Sequence, residues 1–127
     1  MYKDPKVLLI DDEQEILEIY EFALEKIGPT LVLGADGQEG IDKAKESKFN
    51  LIITDLNMPR INGEQFISEV RKSQLNEKTP ILVVSGYLDP EVKARLDQFE
   101  DVTYMSKPFE SLNILTETIA KLVTNPS

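Results

Sequence analysis

Five side chains in this sequence have the types and the placement for one kind of chemistry: Asp11, Asp12, Asp55, Ser85 and Lys107. Each lies just beyond a short run suited to a buried strand. Val7-Leu8-Leu9-Ile10 precedes Asp11-Asp12, Leu51-Ile52-Ile53-Thr54 precedes Asp55, Ile81-Leu82-Val83-Val84 precedes Ser85-Gly86, and Val102-Thr103-Tyr104-Met105 precedes Ser106-Lys107. In one parallel sheet the C-terminal strand ends share a rim, so three acids, a hydroxyl and an ammonium converge there. Three carboxylates within a few ångströms repel one another by roughly 4 kcal/mol per pair at an effective dielectric of about 20, which calls for a proton or a cation among them. A hard divalent ion with oxygen ligands is the natural solution, and Mg²⁺ takes a few carboxylates while keeping waters for phosphate. The chain contains neither cysteine nor histidine, so zinc and copper are poor candidates. In such a cup an aspartate can accept a phosphoryl group as an acyl phosphate, with Lys107, the Ser85 hydroxyl and the metal each taking an oxygen.

Taken singly, each residue has a plainer reading. Asp11-Asp12 can be a helix cap and a solvated neighbour, Asp55 a loop aspartate, Ser85 before Gly86 a turn serine, Lys107 a solvated lysine and Tyr104 edge packing. What the plain readings leave unexplained is their joint occurrence at successive strand ends.

The elements that position these residues alternate along the chain. After the first strand, Ile16, Tyr20, Ala23 and Ile27 recur at helical spacing until Gly28-Pro29, and Asp12 with Glu15 has the pattern of a capping box. Leu31-Val32-Leu33 is the second strand, Asp36 to Glu39 a second cap, and Ile41 and Ala44 mark a helix ending near Lys48. A third helix follows Asn62-Gly63 with Phe66, Ile67 and Val70 inward. Asp89-Pro90-Glu91 opens a fourth, lined by Val92, Leu96 and Phe99. The last helix shows Leu112, Leu115, Ile119 and Leu122 on one face. Five strands and five helices in alternation predict an α/β domain, a parallel sheet doubly wound through right-handed crossovers. At 127 residues it is a single domain, residues 1–127 with a core of about 6–124.

Composition removes several function classes. The formal charge of −9 disfavours direct binding to nucleic acid or to an acidic membrane surface. The absence of histidine and cysteine excludes Ser-His-Asp and Cys-His catalysis and disulfide stapling, and suits a reducing cytoplasm. There is no apolar run long enough for a membrane span and no signal-peptide pattern after Met1. No G-x-x-x-x-G-K-[ST] occurs, which argues against a P-loop nucleotidase.

From Val7 to about Val123 the chain resembles the response-regulator receiver domains of two-component signalling, the CheY-like family. The resemblance rests on Asp11-Asp12, on Asp55 with Met58-Pro59 and Gly63, on Ser85-Gly86 and on Lys107-Pro108-Phe109. It implies a flavodoxin-like sheet in the order 2-1-3-4-5. It implies further that Asp55 accepts a phosphoryl group from a phosphohistidine of a sensor histidine kinase or histidine phosphotransfer protein. Asp12, Asp55 and the Asn57 carbonyl would ligate Mg²⁺, Asp11 acting largely through water, while Lys107 and Ser85 hold phosphoryl oxygens. The Lys107-Pro108 peptide bond would be cis. On phosphorylation Ser85 would move toward the new oxygens and Tyr104 would turn into the vacated space, changing the face of helix four, strand five and helix five.

That face would control a downstream protein target or an output domain missing from this chain. Beginning at Met1 argues against an internal fragment and leaves a truncated C-terminus open. Family members often pair through the same face, so a phosphorylation-dependent homodimer belongs to the expectation. The protein would be a phosphoacceptor with at most slow self-dephosphorylation, not an enzyme. Phe99-Glu100-Asp101 departs from the small Gly-Ala step usual before strand five. Asn57 and Tyr87 occupy positions that in the family tune self-dephosphorylation, and the bulk of Tyr87 predicts a comparatively long-lived adduct. The alternative is a Mg²⁺-dependent aspartyl-phosphate phosphatase or phosphotransferase. Such hydrolases usually carry D-x-D on the first strand, whereas here the acids are adjacent and the nucleophile is on the third.

Overall fold

The structure, a computed structural model, describes residues 5–58, 60–107 and 111–124. Its elements alternate without exception: β1 (Lys6–Ile10), α1 (Gln14–Leu24), β2 (Thr30–Gly34), α2 (Gly37–Glu46), β3 (Leu51–Thr54), α3 (Gly63–Lys72), β4 (Ile81–Ser85), α4 (Pro90–Leu96), β5 (Val102–Ser106) and α5 (Leu112–Thr124). All strand pairs are parallel and the order is β2-β1-β3-β4-β5, as the resemblance implied. The cis bond expected at Lys107-Pro108 involves a residue outside the described ones, as do Pro59 and Phe109 of the motif.

Period-two alternation divides the strand residues between two cores. Leu8, Ile10, Ile52, Ile81 and Val83 face one side, where Ile41, Ala44, Phe66, Ile67, Val70 and Leu96 of α2, α3 and α4 cover them. Val7, Leu9, Leu51, Ile53, Leu82 and Val84 face the other, under Leu17, Tyr20, Ala23 and Leu24 of α1 and Leu115, Ile119 and Val123 of α5. The central strands are therefore apolar on both faces, which is why they read as unbroken runs in the sequence.

Local chemistry sets most helix starts. Asp36 caps α2 by accepting from the Glu39 amide at 2.8 Å, and Asp89 caps α4 by accepting from the Glu91 amide at 2.8 Å. Asn62 and Gln65 form a reciprocal capping box at α3. The box expected from Asp12 and Glu15 does not form. The N-cap of α1 is Glu13, whose side chain makes no capping bond, and the Asp11 carboxylate instead accepts from the Glu13 amide at 3.0 Å.

Two further boundaries and one packed face differ from the periodicity. α1 stops at Leu24, and a turn carries Ile27 into the core edge before Gly28 at φ 67°. α4 ends at Leu96, so Phe99 packs on its core from the following turn, not from the helix. On α5 Leu112 is 41% exposed because it lies in the first turn, beyond the sheet's cover, while Val123 joins Leu115 and Ile119 inside.

Candidate functional site

The sheet delivers its polar strand ends to one rim, as the parallel order requires. Asp11 follows β1 directly, its amide bonded to Gly34 O of β2 at 3.3 Å. Asp55 follows β3, its amide bonded to Ile10 O at 3.4 Å, so the central pair of strands places the two carboxylates side by side. Lys107 follows β5 and is held through its amide to Ser85 O of β4 at 2.9 Å. Its Nζ then reaches both acids, donating to Asp11 Oδ2 at 2.8 Å and to Asp55 Oδ2 at 2.8 Å. The side chains of Lys107, Asp11 and Asp55 are only 13%, 2% and 7% exposed.

Burial works against the Lys107 ammonium, but the hydrogen bonds and charges of Asp11 and Asp55 outweigh it and hold its pKa above the ordinary lysine value. Tyr20 of α1 is fully buried in the neighbouring core. Burial first, then the charges of Asp11 and Asp55, push its phenol well above the usual range, so it stays neutral. Sequence periodicity assigned Tyr20 only to the core stripe; its place within the field of the acids was not legible.

Glu13 is the residue that sequence reasoning missed at the rim. Carboxylate oxygens of Asp11, Glu13 and Asp55 lie within 4.8 Å of one another, while Asp12 is exposed and stands outside this trio. The bond from the Glu13 amide to Asp11 folds the chain so that residues 11 and 13 share a side. Donors limited to carboxylate oxygen fit a hard divalent cation of the Mg²⁺ class and no soft metal.

The loop after β3 is clamped onto the acceptor. Asn57 donates its amide to Asp55 Oδ1 at 3.1 Å, and Thr54 Oγ1 donates to Asp55 O at 2.9 Å. Gly63 returns so close beneath that a Cβ there would collide with Asp55 O and come within 2.7 Å of Leu56 Cα. Only glycine fits, which accounts physically for Asn62-Gly63. Arg60 in the same loop takes φ 67° and pairs with Asp36 at 2.8 Å.

Ser85 is buried at the end of β4, and its hydroxyl donates to Tyr87 O at 2.9 Å, within its own loop. Tyr87 is 70% exposed and shares a cleft of about 310 Å³ with Leu56, Asn57, Asn62, Glu64, Asp89 and Val92. Tyr104 pairs with Val83 across β5 and β4, is part-buried, and donates its phenol to Asp97 Oδ1 at 2.7 Å. Among the described residues no helix is long and apolar enough to cross a membrane.

Comparison with known proteins agrees with this geometry. Residues 7–119 match the model of the response regulator receiver domain. The chain is 33% identical over 122 residues to the response regulator ArlR of Staphylococcus saprophyticus, and 34% to that of Staphylococcus aureus, in each case over 95% of this chain and 54% of the relative. The chain thus spans about half the length of the curated relatives it matches. The chemotaxis protein CheY4 of Vibrio cholerae superposes with a TM-score of 0.85 at 31% identity, over 94% of this chain and 99% of that one. The receiver domain of the Pseudomonas aeruginosa sensor histidine kinase PA1611, solved with a magnesium ion in its active-site cleft, shares the fold with a TM-score of 0.84 at 20% identity, over 97% of this chain and all of that one.

Proposed function

The chain belongs to the response regulator receiver domain family, and from that premise we propose that it is a phosphorylation-dependent switch in which Asp55 is the acceptor. An Asp55 carboxylate oxygen attacks the phosphorus of a phosphohistidine on a sensor kinase or phosphotransfer protein. The P–N bond breaks, the imidazole leaves and takes up a proton, and an acyl phosphate remains on Asp55. The observation that carries the reading is the Lys107 ammonium, 2.8 Å from both Asp55 and Asp11 in a nearly buried cup. It is a fixed positive charge positioned for the three oxygens of a dianionic phosphoryl group.

Asp11, Asp12, Asp55 and the Asn57 carbonyl are the groups that would hold Mg²⁺; support comes from the clustered carboxylates of Asp11 and Asp55, with Glu13 beside them, and from the magnesium of the distant PA1611 domain. When bound, the ion supplies charge neutralisation at the acceptor. Lys107 takes one phosphoryl oxygen and Ser85, once released from Tyr87 O, another. Tyr104 then turns inward and alters the surface of α4, β5 and α5. That surface addresses a downstream target or an output domain, and pairing of two phosphorylated copies through it belongs to the same reading. The protein works in the cytoplasm, where its donors and targets lie. Tyr87 and Asn57, lining one cleft beside the acceptor, limit the attacking water and prolong the adduct.

The test is mass spectrometry after incubation with acetyl phosphate and Mg²⁺. Stoichiometric gain of one phosphoryl group, absent in Asp55→Asn, is the expected result. Persistence of the adduct in Asp55→Asn sinks the assignment, and multiple turnover of phosphate esters would indicate a phosphatase instead.

A further inference from the structure

We propose that Asp97 is a latch that holds Tyr104 in its outward position, so that a carboxylate at the end of α4 sets how readily the chain reaches its activated form. The inference rests on the switch reading above and adds to it a residue that neither motif nor spacing singles out. Asp97 uses both of its oxygens: Oδ1 accepts the Tyr104 phenol at 2.7 Å and Oδ2 accepts Lys93 Nζ at 2.8 Å. Lys93 also stands 5.0 Å from the centre of the Tyr104 ring, so the three side chains form a closed set of contacts.

The latch has leverage because α4 is weakly anchored. It is seven residues long, and Leu96 is its one buried residue. Arg95 ties it to α3 through a two-pronged pair with Glu64 at 2.6 and 3.1 Å, and Asp97 ties it to β5 through Tyr104. The protonation states suit the bond. Hydrogen bonds from Lys93 and then Tyr104 hold the Asp97 carboxyl below the ordinary value, while burial and then the Asp97 bond and charge push the Tyr104 phenol above the usual range. A neutral phenol therefore donates to an ionised acceptor.

The other switch residue is also engaged elsewhere, with Ser85 donating to Tyr87 O. Turning inward requires the phenol to abandon a charged acceptor. That loss disfavours the inward state before any phosphoryl contact exists. Apparent affinity for an activating ligand scales with the fraction of chains already competent, so weakening the latch tightens binding without touching the cup.

The experiment compares wild type, Asp97→Ala, Tyr104→Phe and the double variant of the full chain. Beryllofluoride with Mg²⁺ is the probe, followed by NMR of ¹³C-labelled tyrosine and phenylalanine rings. Both single variants should bind about three- to tenfold more tightly, the size of one modest hydrogen bond, and the double variant no more tightly than either single. Tyr104→Phe keeps the ring and leaves every α4 side chain in place, so it decides the matter if Asp97→Ala loosens the helix. Unchanged affinity in Tyr104→Phe, or full additivity in the double variant, overturns the latch. A second readout needs no adduct: in metal-free protein the Tyr104 ring resonance should move toward its buried position in Asp97→Ala, and no movement overturns the latch. Failure of wild type to bind beryllofluoride would overturn the switch reading instead, with the metal-free measurement still deciding the latch.

Discussion

The two ends of the sheet solve the same problem in opposite ways. At the N-terminal end the fully buried Asn76 closes the gap between α2, β3 and the α3–β4 turn. Its Oδ1 accepts from the Phe49 amide at 2.9 Å and from Thr79 Oγ1 at 2.9 Å, and its Nδ2 donates to Ala44 O at 2.6 Å and Ser47 O at 2.8 Å. Every lone pair and proton of that amide is used, and no formal charge is involved. At the C-terminal end Lys107 bridges two buried acids, with Glu13 a third carboxylate beside them. One ammonium among three acids leaves an excess of negative charge. A neutral, saturated network needs nothing further, whereas a charged, undersaturated one is arranged for a ligand.

Mutation and metal separate the two ends. Asn76→Ala should destabilise the protein by about 4 kcal/mol, because four bonds vanish and buried groups such as the Phe49 amide are left unpaired. Chemical denaturation measures it, and Mg²⁺ should recover none of the loss. Lys107→Met should lower stability by about 3 kcal/mol by leaving two acids unpaired, and here Mg²⁺ should recover part of it. If Mg²⁺ rescued both variants equally, the contrast would be wrong. The Lys107 contribution also has a pH signature. Its pKa is raised in the folded state, so the stabilisation is complete below the unfolded value of 10.5 and disappears as pH rises through the folded one.

Smaller effects sharpen the picture. Mg²⁺ at ten times its dissociation constant should add about 1.4 kcal/mol to wild type, read as a rise in melting temperature, and nothing comparable to Asp55→Asn. Arg60→Gly should stabilise by about 0.5 kcal/mol. It relieves the left-handed backbone at φ 67° and gives up only an exposed pair with Asp36. A marked loss of stability in that variant would mean that the pair holds the acceptor loop.

The contrast also explains what was legible in advance. Charged residues placed directly after apolar runs announce themselves, because a carboxylate at a buried strand end demands an explanation. Asp55, Lys107 and Asp11 were found that way. Asn76 sits in a polar stretch, Ser73-Gln74-Leu75-Asn76, where nothing distinguishes an amide saturated by distant backbone from a solvated one. Glu13 was hidden for a related reason. The adjacent pair Asp11-Asp12 draws the eye, and only the turn in which Asp11 accepts the Glu13 amide shows that Glu13 also lies within 4.8 Å of the Asp11 and Asp55 carboxylates. Helix caps divided similarly: Asp36 and Asp89 act locally at the starts of α2 and α4, while the Asp12–Glu15 box does not form because α1 begins one residue later, with Glu13 at the N-cap and Asp11 taking its amide.

By itself the sequence determined the alternation of strands and helices, the two-sided burial of the central strands and the identity of the acids and lysine at their ends. These are consequences of side-chain period and chain direction, both local properties. Tertiary structure decided which of those groups meet: that Lys107 spans Asp11 and Asp55 across strands 52 residues apart or more, and that Asp97 closes on Tyr104. Partner choice depends on distances of a few ångströms between distant segments, and only the packed sheet sets those.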